Sequence, residues 1–194
     1  MIEGAPLARA TELASLEARL IDRIRHRDVR AFERLYRAYH PRLARYLTTL
    51  THRPPLVEEV LNDTMMVVWN RIETFNGSSK LSTWIFAIAY RQALSALRHW
   101  DQPVEDPDPD RLQADGDDPE HSLGQQSRHD SLQRAMGDLS PAHRSVLDLT
   151  YFHELSTREI AEIMNCPIDT VKTRMFHARR HLRRILPGEL IDWL

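Results

Sequence analysis

The sequence has little of what secreted proteins, membrane proteins and nucleotide-binding enzymes depend on. Its 194 residues include one cysteine, Cys166, so no internal disulfide can form, and a reducing cytoplasm is the expected location. The six glycines never occur in close pairs, which excludes a glycine-rich loop that cradles phosphates. The longest apolar run, Trp84 to Tyr90, is far shorter than the ~20 residues of a membrane span, so no membrane insertion is expected.

Candidate catalytic and metal sites are equally weak. The ten histidines are scattered along the chain. His153 and Glu154 begin a zinc-protease pattern, but Thr157 stands where the second histidine is needed. His177 and His181 are spaced one helical turn apart, as a metal-binding pair can be, but neither a carboxylate nor a thiol accompanies them. We therefore predict that the protein is not an enzyme and uses no metal or other cofactor.

What the sequence does contain is charge in separate blocks. The net charge of -2 conceals an acidic segment, residues 101–127, which contains nine Asp and Glu and only one Lys or Arg, Arg111. The remainder carries 25 Lys and Arg against 19 Asp and Glu. With four prolines and few large apolar residues, the acidic segment cannot bury enough surface to offset the entropy of folding, so it is predicted to be a disordered linker.

The part before the linker, residues 28–100, predicts a bundle of helices. Apolar residues recur at helical spacing in three successive segments, and no segment alternates as a strand does. Asp28 is a predicted N-cap of the first segment, and Pro41 predicts a kink or a restart within it. The third segment is predicted to run from Ser82, another N-cap, to Trp100. An extension, residues 1–27, precedes the bundle; its role stays open, but it has helically spaced apolar residues (Leu13, Leu16, Leu20, Ile24).

The part after the linker, residues 128–194, predicts a helix-turn-helix. Ser140 and Pro141 are a suitable N-cap and first residue for one helix. The segment STREIAEIM then predicts a short amphipathic helix, NCP a turn, and IDTVKTRMFHARRHLRRIL a longer helix. From Lys172 to Arg184 this last helix has six Lys and Arg and no acid, which is typical of a DNA-binding helix. The stripe predicted to be buried on it is Val171, Met175, Ala178 and Leu182.

The predicted fold class is therefore all-α, with two small helical domains joined by a flexible acidic linker. The segments VEEVLNDTMMVVW and LSTWIFAIAYRQALSALR, with Phe75 between them, resemble region two of the extracytoplasmic-function, or group-four, sigma factors of bacterial RNA polymerase. The segment LSPAHRSVLDLTYFHELSTREIAEIMNCPIDTVKTRMFHARRHLRRIL resembles their region four. By this resemblance, residues 28–100 are region two and residues 128–194 are region four.

The resemblance implies a cytoplasmic sigma factor, which binds core RNA polymerase and directs it to promoters through their minus-ten and minus-thirty-five elements. The implied partners are promoter DNA, the clamp coiled coil of the largest polymerase subunit and an anti-sigma factor, and the free protein is expected to be a monomer. The alternative is a stand-alone helix-turn-helix regulator whose N-terminal bundle senses a ligand. Such a regulator would bind its duplex tightly by itself, whereas a sigma factor would need core polymerase.

The resemblance also assigns roles to individual residues. Trp84 matches a tryptophan of the family, and its helical spacing predicts packing in the core rather than stacking on a base. The positions that match polymerase-binding residues are Glu59, Asn62 and Asp63, where Asn62 is shorter than the glutamine usual in the family. The positions that match minus-ten contacts are Asn76, Ser78, Ser79, Lys80, Arg91 and Arg98. Those that match minus-thirty-five contacts are Thr157, Arg158, Thr170, Lys172, Thr173, Phe176 and His177.

Overall fold

The computed structural model describes residues 16–100, 131–132 and 134–186. These residues contain helices and turns and no strand, in agreement with the all-α prediction. No helix in these ranges is long and apolar enough to cross a bilayer. The acidic segment 101–127 lies outside the described residues, so its flexibility stays a prediction.

Region two consists of α2 (Val29–Thr51), α3 (Pro54–Arg71) and α4 (Leu81–Trp100), with a 3-10 turn (Ile72–Thr74) after α3, and it is preceded by α1 (residues 16–25) of the N-terminal extension. Region four consists of α5 (residues 131–132 and 134–137), α6 (Pro141–Tyr151), α7 (Thr157–Met164) and α8 (Ile168–Ile185). The names region two and region four denote these two helical groups from here on. Helices α7 and α8 are the predicted helix-turn-helix.

Two helix starts follow the predicted capping chemistry. The Asp28 carboxylate accepts hydrogen bonds from the backbone N–H groups of Arg30 and Ala31. The Ser140 hydroxyl accepts one from the N–H of His143. Both caps satisfy N–H groups that have no partner within the first turn of a helix, so they determine where α2 and α6 begin.

The predicted N-cap at Ser82 is wrong, and of the two outcomes predicted at Pro41, a kink or a restart, the restart does not occur. Ser82 is not an N-cap, because α4 begins at Leu81 and the carbonyl of Lys80 already accepts the N–H of Trp84 at 3.1 Å. Pro41 does not restart the first helix, since α2 continues from Val29 to Thr51. Its ring removes one backbone donor, but the buried stripe of α2 continues on both sides of it, and that packing holds the helix together.

The core of region two is the one that the spacing predicted, with one correction. Ile24 of α1 is fully buried and Ile21 is 8% exposed, so α1 packs on the bundle. Leu16, which was expected on the same stripe, is 54% exposed. The apolar residues that recur at helical spacing along α3 are buried, namely Val57, Val60, Leu61, Met65 and Val68, together with Ile72 of the 3-10 turn. In region four, Val171, Ala178 and Leu182 are buried as predicted, and Met175 is half-buried.

Region two and region four pack against each other, which the sequence did not predict. Helix α2 contacts α6, and α4 contacts α7. The Tyr46 hydroxyl lies 3.1 Å from Ser145 Oγ, and both residues are fully buried. The centroid of the Phe86 ring on α4 lies 4.7 Å from the centroid of the His153 ring, and His153 lies in the turn after α6. The two regions therefore share one continuous core.

Candidate polymerase and DNA interfaces

One face of α3 is polar and exposed, on the side opposite its buried stripe. It brings together the three predicted polymerase-binding residues, Glu59, Asn62 and Asp63, all of which are exposed. Asn62 Oδ1 accepts a hydrogen bond of 3.2 Å from the Tyr36 hydroxyl of α2. Glu59 and Asp63 lie one helical turn apart, so their negative charges repel each other. A partner with positive charge would relieve this repulsion.

The loop from Phe75 to Lys80 has a fixed shape. At its start Phe75 is buried, and the centroid of its ring lies 5.5 Å from the centroid of the Trp84 ring. Trp84 is half-buried and packs against the core, as predicted. Asn76 Oδ1 accepts the N–H of Ser78 at 3.0 Å, and Gly77 between them has a φ of +75°, which favours glycine. The predicted minus-ten residues in this loop are Asn76, Ser78 and Lys80, which are exposed, and Ser79, which is half-buried.

The remaining minus-ten candidates lie on α4. Arg91 and Arg98 are exposed, about two turns apart on that helix, and not in the loop. The charged end of the loop is already engaged, because Lys80 Nζ lies 2.7 Å from Glu159 Oε1 of α7. The Lys80 ammonium and the hydroxyl and N–H of Ser156 lower the pKa of Glu159 to about 2. One predicted DNA contact of region two is therefore ion-paired with region four.

Helix α8 presents its N-terminal half to solvent. Lys172, Thr173, Phe176 and His177 are all exposed, and Phe176 is exposed to 61% although it is large and apolar. Lys172 Nζ lies 3.0 Å from Asp169 Oδ1, and the Thr173 hydroxyl donates to the Asp169 carbonyl at 2.9 Å. The other predicted minus-thirty-five residues are Thr157 and Arg158, exposed on α7, and Thr170, half-buried on α8.

A basic groove beside this face contains two arginines, Arg179 and Arg183, that the sequence reasoning missed. It has a volume of about 530 Å³ and lies along α8, with contributions from α6 and α7. Arg179 stacks over the ring of Tyr151, with its guanidinium carbon 5.5 Å from the ring centroid. Arg179, Arg180 and Arg183 follow Phe176 by three, four and seven residues. This helical spacing indicates that they lie on the same side of α8 as Phe176. The groove is lined by Thr150, Thr157, Val171, Lys172, Met175, Phe176, Arg179, Arg180 and Arg183.

Comparison with known families identifies both halves of the chain. The family model of Sigma-70 region 2 matches residues 35–101, and that of Sigma-70, region 4 matches residues 129–182. The chain belongs to the sigma-70 family. The sigma-factor resemblance is confirmed, and the match to region two is one that a stand-alone helix-turn-helix regulator would not show.

Curated relatives place this sigma factor in the extracytoplasmic-function group. It is 30% identical to the RNA polymerase sigma factor YlaC of Bacillus subtilis, over 83% of this chain and 94% of that protein. It is also 30% identical to the ECF RNA polymerase sigma factor RpoE of Cereibacter sphaeroides, over 82% of this chain and 88% of that protein. Among solved structures, the sigma factor RpoE of Bartonella quintana, in complex with the anti-sigma factor NepR, has a TM-score of 0.67 at 26% identity. That match covers 81% of this chain and 98% of the solved chain. The protein therefore directs promoter-specific transcription.

Proposed function

We propose that this sigma factor docks on core polymerase through α3 and reads its promoter through the Phe75–Lys80 loop and α8. It acts in the cytoplasm as a subunit and not as an enzyme. The observation that carries the proposal is the exposed face of α8. There Lys172 and Phe176 line an arginine-rich groove, whereas Val171, Ala178 and Leu182 are buried. The boundaries 28–100 and 128–194 remain our proposal for the extent of the two regions.

For the polymerase contact, the polar face of α3 offers carboxylates to a basic partner helix. Glu59 and Asp63 supply negative charge, and Asn62 lies between them with its carbonyl oxygen held by Tyr36. Charge complementarity of this kind favours encounter with a positively charged partner and disfavours wrong ones. We assign the clamp coiled coil of the largest polymerase subunit to this face.

For the minus-ten element, the Phe75–Lys80 loop offers hydrogen-bonding groups on a fixed backbone. The Asn76 carbonyl oxygen is occupied by Ser78, which leaves the Asn76 amide NH2 to donate to a base. Ser78, Ser79 and Lys80 supply further donors, and Arg91 and Arg98 on α4 are assigned to phosphates. Separated strands expose base edges that such a loop can bind.

For the minus-thirty-five element, α8 enters the major groove with Lys172, Thr173, Phe176 and His177 toward the bases. Thr157, Arg158 and Thr170 are assigned to the backbone, because they lie near helix N-termini, where N–H groups favour phosphates. The arginines of the basic groove extend the same phosphate contact along α8.

For regulation, we propose that an anti-sigma factor holds the chain inactive and that the free chain is a monomer. The solved relative from Bartonella quintana is bound to an anti-sigma factor, and its likeness covers 81% of this chain, which includes parts of both regions.

The α8 assignment is tested by separating base contacts from phosphate contacts. Lys172→Ala should cost about 1–3 kcal/mol on the preferred promoter and reduce its base preference at one position, as loss of a base contact does. Arg158→Ala should weaken all promoters alike and reduce the slope of log affinity against log salt by about 0.9, as loss of one phosphate contact does. The measurement is holoenzyme binding to single-base promoter variants over a salt series. If the two variants exchange these behaviours, the assignment of the α8 face is wrong.

A further inference from the structure

The extension before region two contacts the place where the Phe75–Lys80 loop begins. Arg25 Nη2 of α1 donates to the Phe75 carbonyl at 2.6 Å, across 50 residues of sequence. Arg27 Nη1 donates to the Trp69 carbonyl at 2.9 Å. Trp69 lies in the last turn of α3, whose carbonyls have no partner within the helix. Two cationic side chains two residues apart in sequence, Arg25 and Arg27, thus bind the backbone that leads into the loop.

The loop is consequently fixed from both sides at its first residue. The Phe75 ring packs on Trp84 of α4, and the Phe75 carbonyl is bound by Arg25 of α1. Helix α1 itself is immobilised on the bundle by the buried Ile21 and Ile24. The guanidinium of Arg25 therefore has a rigid support, as a side chain that positions a binding loop requires.

We propose that Arg25 is a positioning residue for promoter opening, acting through the Phe75 carbonyl; this rests on the proposed minus-ten role of the loop. A loop that must bind a base as soon as it leaves the stack needs its donors in place beforehand. Loss of Arg25 frees the start of the loop, so fewer loops have the binding conformation at any moment. The defect should then appear in strand opening and not in polymerase docking or in upstream recognition.

The test compares Arg25→Gln with Arg19→Gln, a matched change at an exposed arginine of the same helix. With holoenzyme on a duplex promoter, Arg25→Gln should slow open-complex formation about tenfold, measured by permanganate reactivity of unpaired thymines. Its affinity for core polymerase and for an isolated minus-thirty-five duplex should not change. The defect should shrink on a template with a pre-opened minus-ten segment, Arg25→Lys should restore part of the rate, and Arg19→Gln should behave as the parent.

An equal defect on duplex and pre-opened templates, or none on duplex, would overturn the role of Arg25. A loop variant, Asn76→Ala, separates this result from failure of the proposed function. If Asn76→Ala slows opening and Arg25→Gln does not, the loop assignment stands and the positioning role is wrong. If neither variant slows opening, both the loop assignment and the Arg25 proposal are wrong.

Discussion

Replacing both Glu59 and Asp63 by arginine is expected to abolish co-purification with core RNA polymerase. Both side chains are exposed on α3, opposite its buried stripe, so the change reverses the charge of the docking face without disturbing the core. A basic partner that is attracted by two carboxylates would be repelled by two guanidinium groups, and like charges across an interface cost several kcal/mol. The measurement is pull-down of core enzyme, with the melting temperature of the free chain recorded in parallel.

The matched control is a charge reversal of the same size elsewhere. Asp22→Arg combined with Asp138→Arg changes two exposed carboxylates outside α3 and should leave assembly intact. Normal holoenzyme assembly by the Glu59 and Asp63 double variant would show that another face docks on polymerase. A large fall in its melting temperature would instead mean that the face has a structural role.

Val171→Asp is expected to unfold region four. Val171 lies on the buried side of α8 and is only 1% exposed. A carboxylate at this position loses its hydration and gains no partner. The effective cost of burying one ion is several kcal/mol, which is large against the ~5–15 kcal/mol of stability of a typical domain. Circular dichroism and limited proteolysis of the full chain should show loss of helix in region four. Because α3 lies in region two, the variant should still bind core polymerase but no longer recognise the upstream element.

The same substitution at an exposed valine separates burial from charge. Val29 is 67% exposed at the start of α2, where a carboxylate also interacts favourably with the helix dipole. Val29→Asp should therefore leave the melting temperature nearly unchanged. If Val171→Asp melted like the parent, the buried stripe of α8 would be assigned to the wrong face, and the exposed face with it.

Much of the candidate site could be predicted because its placement depends on local periodicity. On α8 the four-, three- and four-residue spacing of Val171, Met175, Ala178 and Leu182 placed Lys172 and Phe176 on the opposite, exposed side. On α3 the helical spacing of the apolar residues likewise leaves Glu59 and Asp63 on the opposite, exposed side. The error at Ser82, and the restart that did not occur at Pro41, arose where a cap or a proline was judged apart from the packing of the whole helix, which decides such cases.

The sequence by itself determined which segments are helices, which face of each is apolar, and which family the motifs resemble. These properties follow from side chains three and four residues apart, whose spacing the chain displays directly. Only the tertiary structure decided that Arg25 binds the Phe75 carbonyl and that Tyr46 and Lys80 meet Ser145 and Glu159. Those partners are separated by 50 to 99 residues, and such contacts leave no periodic trace in a single sequence because they depend on how already formed helices pack.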